Sequence, residues 1–190
     1  LDALHQPDYG RALVIDTATN DLTEMIHIHT YHEKSVDEVY DLRGATGETT
    51  AFSVETHYKR YYADGMRESL ATQNHDEIKK NYVKFYERQF PDIRATRDFV
   101  VTDDALANQV TVAEAYAIPH LWKPDKDGGT LRFAFYPSLI TEYLAKLPSA
   151  TRAMPMSVPY PIRLRHQTRI PLPESFRVTE SNDSISDPVF

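Results

Sequence analysis

Between residues 51 and 62 every second position changes character. Phe52, Val54, Thr56, Tyr58, Arg60 and Tyr62 fall on one side of an extended chain, and Ala51, Ser53, Glu55, His57, Lys59 and Tyr61 on the other. Period two with bulky residues on one side marks a strand with one buried and one wet face. Directly afterwards the spacing becomes helical. Asp64 is predicted to open a short first helix, its carboxylate placed to accept from orphan N–H groups of the next turn, with Met66 and Leu70 one turn apart. A better specified helix follows Asn74, the expected N-cap, with Glu77 three positions on in a capping-box arrangement. Its apolar stripe reads Ile78, Tyr82, Phe85, Tyr86 and Phe90, while Lys79, Lys80, Lys84 and Arg88 are left to solvent and Pro91 ends it.

The pattern continues on both sides. Residues 11–16 (RALVID), 25–32 (MIHIHTYH) and 35–42 (SVDEVYDL) are predicted strands, and the second can run on through Glu33 and Lys34 into the third. A flexible turn at 44–47 (GATG) then leads into the long strand at Thr49. Downstream, 98–102 (DFVVT) reads as a strand and 103–108 as a polar connection. In 109–118 Val110, Val112, Glu114, Tyr116 and Ile118 share a bulky side, opposite a small side of Thr111, Ala113, Ala115 and Ala117 suited to lie beneath a helix. KPDKDGG at 123–129 is a turn, and Leu131, Phe133 and Phe135 alternate after it, which predicts a hairpin. Pro137 suits the first position of a third helix, with Leu139, Ile140, Tyr143, Leu144 and Leu147 at three- and four-residue spacing. Residues 160–170 alternate again, with Arg163, Arg165 and Arg169 on the outer side and prolines nearby that fit an edge strand. These elements predict one domain over residues 1–190, an α+β, β-rich fold: an antiparallel β-sandwich or strongly bent sheet with about three helices packed on it.

Composition narrows the function more than the fold. Twelve Tyr, eight Phe and twelve Pro add weight to strands and turns. A net charge of −7 argues against generic nucleic-acid binding unless a basic face is segregated. With no cysteine, disulfides, thiolate nucleophiles and Cys-ligated zinc are excluded together. No apolar run approaches the roughly 18 residues of a spanning helix. The chain starts at Leu1 and stops at Phe190, where a new apolar segment begins, so a fragment of a longer multidomain protein is expected.

Three clusters bear on chemistry. His27, His29 and His32 are the most metal-like, because His-x-His on a strand sets two imidazoles roughly 7 Å apart on one face; an outward polar stripe explains the same letters. Asp98, Asp103 and Asp104 lack the oxygen-ligand and glycine pattern of a calcium loop and read as a polar connection. Arg163, Arg165 and Arg169, with Arg152, form a basic region able to contact an acidic partner domain or an anionic polymer, or a solvated stripe. Neither a nucleophile elbow, a phosphate-binding glycine loop nor a dinucleotide fingerprint occurs among the six glycines.

The order of several blocks carries a resemblance. DYGRALVID (8–16), VDEVYDL (36–42), FSVETHYKRYYADGMRESLA (52–71), ERQFP (87–91), VAEAYAIPHLW (112–122) and RAMPMSVPYPIRLRHQTRIPLP (152–173) resemble the region that follows the catalytic core in large bacterial transglutaminase-like proteins. In those proteins an N-terminal β-domain of unknown function precedes a papain-like core, and further β-structure comes after it. The family's catalytic Cys, His and Asp match no position here. The resemblance therefore implies a non-catalytic accessory domain without cofactor, in the periplasm or cell envelope. Its partners would be adjacent domains of the same polypeptide and a protein, peptide or cell-envelope substrate. The residues leave two other readings open: a metal-binding domain or metal-dependent enzyme using His27, His29 and His32, and a carbohydrate-binding module stacking sugars on Tyr61, Tyr62, Trp122 and Tyr136.

Overall fold

The alternating stretch becomes the centre of the sheet. In the computed structural model, which describes residues 9–25, 31–44, 49–126, 128, 131–143 and 161–174, it forms strand Thr49–Lys59 (β4), whose even-numbered residues are buried. Antiparallel neighbours flank it: β3 (His32–Asp41) on one side and β7 (Gln109–Pro119) on the other. In this register Phe52 lies opposite Tyr40 and Tyr116, and Val54 opposite Glu38 and Glu114. The far edge of β7 is paired by β5 (Arg94–Ala95) and β6 (Val100–Asp104), and β10 (Ile162–Arg169) joins β3 in parallel. Among the described residues the result is a mixed six-stranded sheet in the order β10-β3-β4-β7-β5, with β6 also on β7. Two short ladders lie apart from it, β1 (Arg11–Ala12) with β2 (Thr23–Glu24) and β8 (Lys123–Pro124) with β9 (Leu131–Arg132).

Among the described residues three helices complete an α+β, β-rich fold: α1 (Tyr61–Thr72), α2 (His75–Glu87) and α3 (Ser138–Tyr143). All of them cover the bulky face. Tyr40 stacks on Phe52 at 4.4 Å between ring centroids, and Tyr86 of α2 meets Phe52 edge-on at 5.1 Å. At the other end Ala63 of α1 packs with Tyr58, Val110 and Val112, and Met66 and Tyr82 close over them. Burying each large side chain contributes about 2 to 3 kcal/mol, so the apolar face decides where the helices sit. The small side of β7 is not beneath a helix, contrary to the expectation. Ala113, Ala115 and Ala117 stand on the open face with Ser53, Glu55 and His57, because alanine methyls offer a helix little area to bury.

Other boundaries moved for identifiable reasons. β4 ends at Lys59 rather than continuing to Tyr62, because Arg60 takes a positive φ of 52° and donates its N–H to the carbonyl of Asn108 at 2.9 Å. Arg60 therefore precedes α1, without a side-chain cap, and Asp64 sits inside the first turn instead of opening the helix. Asn74 does cap α2, accepting from the N–H of Asp76 at 2.8 Å. Phe85 is 40% exposed, whereas Tyr86 and Ile78 carry the buried stripe. Asp103 and Asp104 belong to β6 rather than to a connection, and only two residues of the 11–16 run pair, leaving Ile15 exposed. The parallel entry of β10 departs from an all-antiparallel sheet. Residues 26–30 of the second predicted strand, the turn at 45–48, Leu144 and Leu147 lie outside the described residues.

Candidate functional site

Two carboxylates occupy core-facing slots. Glu38 lies between Val36 and Tyr40 on β3, and Glu114 between Val112 and Tyr116 on β7; both are buried, at 2% and 5% exposure. Because both register with Val54, they stand two strands apart, roughly 10 Å between backbones. His166 of β10, equally buried, places Nε2 3.2 Å from Glu38 Oε2. The hydroxyl of Tyr86 donates to Glu38 Oε1 at 3.4 Å, and that of Tyr116 donates to Glu114 Oε2. Burial pushes the Glu114 carboxyl up to about 7, an effect opposed by the Tyr116 hydroxyl and reinforced by the charge of Glu38. Burial also lifts the phenols of Tyr40, Tyr86 and Tyr116 well above their usual range, and that of Tyr82 to about 12. The space beside Glu114, bounded by Lys79, Tyr82, Arg97 and Phe99, is about 10 Å³, room for one water at most. This row can hold protons but cannot admit a substrate.

A second polar row lies on the open face. His57 Nδ1 is 3.1 Å from Thr111 Oγ1, and His57 Nε2 is 3.5 Å from Asp37 Oδ2. The order hydroxyl, imidazole, carboxylate is that of an activated nucleophile. Two ingredients are missing. The backbone amides of β4 and β7 around it are committed to the sheet ladder, leaving no donors for an oxyanion, and the row crosses a sheet face rather than lining a cleft.

A larger concavity among the described residues lies elsewhere. The C-terminal end of α2, the β8–β9 ladder and the approach to α3 enclose a groove of about 1170 Å³ walled by Phe85, Phe90, Pro91, Leu121, Phe133 and Tyr136. Gln89 Nε2 donates to the carbonyl of Ala134 at 2.7 Å and ties the helix to the opposite wall. Phe85 and Tyr136 leave ring surface free, at 40% and 60% exposure.

The residues singled out in the sequence fall as follows. His27 and His29 lie outside the described residues, as does the side chain of His32, whose backbone opens β3. Among the described residues no group of three or more His, Asp or Glu side chains is placed to hold a metal ion. Asp98, Asp103 and Asp104 do not converge. Asp98 faces His75 and Lys79, Asp103 pairs with Arg67 at 2.7 Å, and Asp104 accepts from the N–H groups of Leu106 and Ala107 in the following turn. Tyr61 and Tyr62 follow the end of β4, whereas Trp122 follows the end of β7 that pairs with the start of β4. A strand of that length spans roughly 35 Å, so these rings form no single platform. Arg163, Arg165 and Arg169 are exposed on β10; Arg152 is outside the described residues. Sequence reading placed Glu114 on the bulky side of its strand and passed over Glu38 and His166. The available signal was an ionisable residue in an apolar register: Glu38 between Val36 and Tyr40, His166 between Leu164 and Ile170. No helix among the described residues is long and apolar enough to cross a membrane.

No family model matches the sequence, and neither a curated protein nor a solved structure matches it.

Proposed function

We propose that the chain is a non-catalytic accessory domain that binds polypeptide, working beside a transglutaminase-like cysteine peptidase core. One observation carries the reading: the buried side chains of Glu38, Glu114 and His166 and the concavity at the end of α2 are in different places. An active site brings perturbed acids and bases into the cleft that receives the substrate. Here Glu114 is sealed under α2, and the groove presents rings and prolines together with the charged side chains of Arg88, Asp92, Lys123, Arg132 and Glu142. Rings of this kind supply contact area at little entropic cost and suit an apolar, extended segment of polypeptide. The bacterial cell-envelope setting and the neighbouring core rest on the resemblance of the sequence blocks alone.

The single tryptophan supplies the assay. Trp122 meets Phe133 of the groove wall edge-on at 5.2 Å, so its fluorescence reports on occupancy. Titration with extended peptides rich in aromatic residues and proline is expected to give saturable binding that the double variant Phe85→Ala, Tyr136→Ala loses while its thermal midpoint stays close to the parent's. Absence of saturable binding, or amide hydrolysis or transfer by the chain alone, overturns the reading. Stoichiometric zinc or nickel in protein purified without a tag, lost from the His27→Ala, His29→Ala variant, would put a metal-binding function in its place.

A further inference from the structure

Strand β10 closes one side of the sheet, and among the described residues its only partner is β3. Exposed edges are usually blunted by proline, a bulge, brevity, charge or a covering element. Between Ile162 and Arg169, which run in unbroken register with His32–Val39 over eight pairs, there is no proline or bulge, and the arginines supply charge that repels a basic strand while leaving the edge open to an acidic one. The strand is also firmly seated. His166 reaches Glu38 in the core, Leu164 packs on the apolar cluster, and the carbonyl of Pro171 accepts from Leu42 N–H at 2.9 Å just beyond it. Such an edge presents a rigid row of backbone donors and acceptors.

Arginine decides what can pair there. Arg163, Arg165 and Arg169 stand exposed on the open face. The guanidinium of Arg163 lies 5.8 Å from the centre of the Tyr31 ring, and that of Arg165 donates to Gln167. Among the described residues no carboxylate pairs with any of the three, because Glu33, beside Arg163 in the register, is engaged by Lys59 at 3.4 Å and Arg60 at 3.3 Å. We propose that β10 is a strand-addition site for an acidic, extended segment of a partner polypeptide. Such a strand would satisfy the outer backbone edge and place its carboxylates beside the arginines, since same-face residues recur at the same spacing of roughly 7 Å in both strands. A second copy of this chain is a poor fit, because edge-to-edge pairing through β10 would crowd like charges onto one face. A nucleic acid has no row of peptide N–H and C=O groups with which to complete the backbone edge as a strand does.

The test uses the full chain and a fluorescein-labelled peptide of alternating Glu and Val, followed by anisotropy. Binding is expected to weaken about tenfold or more in the Arg163→Ser, Arg165→Ser, Arg169→Ser variant and, with the parent chain, for a peptide N-methylated at alternate amides. The groove variants Phe85→Ala and Tyr136→Ala should bind it unchanged, which separates this surface from the one above. Failure of the unmethylated peptide to bind, equal binding of the N-methylated peptide, or equal or tighter binding of an oligothymidylate overturns the proposal.

Discussion

Replacing Glu114 by Gln tests the buried carboxyl directly. Its ordinary value is 4.5 and burial raises it to about 7 in the folded chain. Below the lower value the group is protonated in folded and unfolded chains alike, and it contributes no pH dependence. As pH rises towards the upper value the unfolded chain releases the proton first, which favours unfolding; above it both states are ionised and the penalty levels off. At about 1.4 kcal/mol per pH unit of displacement, the parent loses about 3 kcal/mol across that window relative to a chain that cannot titrate there. Gln keeps the shape of the side chain and can still accept from the Tyr116 hydroxyl. Urea unfolding followed by Trp122 fluorescence is therefore expected to give near-equal stabilities for parent and Glu114→Gln at about pH 4.5. By about pH 8 the variant should be ahead by about 3 kcal/mol. Taking the difference cancels most other titrations. Glu38, whose charge adds to the rise, is controlled by repeating the comparison in a Glu38→Gln background, where the gap should narrow. A difference that stays constant with pH, or a variant that becomes the weaker of the two at high pH, would mean that Glu114 is ionised and held in the fold, and would refute the reasoning.

Phe52, 1% exposed at the centre of the ring stack, should cost about 3 to 5 kcal/mol on truncation to Ala, whereas the half-exposed Phe85 should cost about 1 kcal/mol or less; equal losses in denaturant titrations would contradict the assigned face of α2. Asn74→Ala removes the acceptor for the Asp76 N–H and should cost about 1 kcal/mol, read as a lowered thermal midpoint. Arg67 joins Asp64, Asp103 and Asn108 across the α1–β6 junction while remaining partly exposed, so Arg67→Met should cost about 1 kcal/mol and less at high salt. His166→Leu strands the carboxylate of Glu38 in the core and should cost about 3 to 5 kcal/mol, with part recovered in the Glu38→Gln, His166→Leu double variant; a fully additive double variant would mean the two side chains do not act as a pair.

What the sequence made legible is what period and end-chemistry can encode. The strict alternation around Phe52 and Val54 gave β4 and its buried face, and Asn74 gave the start of α2. What it hid depends on long-range partners. β4 alternates past Lys59 on paper, yet Arg60 breaks it because Asn108, forty-eight positions away in the chain, offers a carbonyl at the turn. Phe85 and Tyr86 are both aromatic and adjacent, and only the location of Phe52 and Glu38 determines which ring turns inward. The parallel entry of β10 is invisible locally, since parallel and antiparallel strands share one side-chain period. Long-range packing also hid the aromatic groove, whose walls come from α2, the β7–β8 connection and the approach to α3 and meet only in the folded chain.

Burying Glu38 and His166 is poor value as stabilisation alone, because an apolar pair of similar volume commonly does as well or better. A buried polar pair does, however, discriminate between arrangements. With β10 parallel to β3, His166 opposite Val36 and Thr168 opposite Glu38, His166 reaches Glu38; a shift of one residue would turn His166 to the open face and Arg165 or Gln167 into the core. The pair thus fixes the register of the one edge strand that carries the arginine column. A fixed edge gives up little conformational entropy when a second strand is added to it, so the gross interaction is spent less on ordering. The polar core and the basic edge are in this sense two faces of one strand: alternate residues of β10 lock it inward on Glu38 and present charge outward, and the first set makes the second usable.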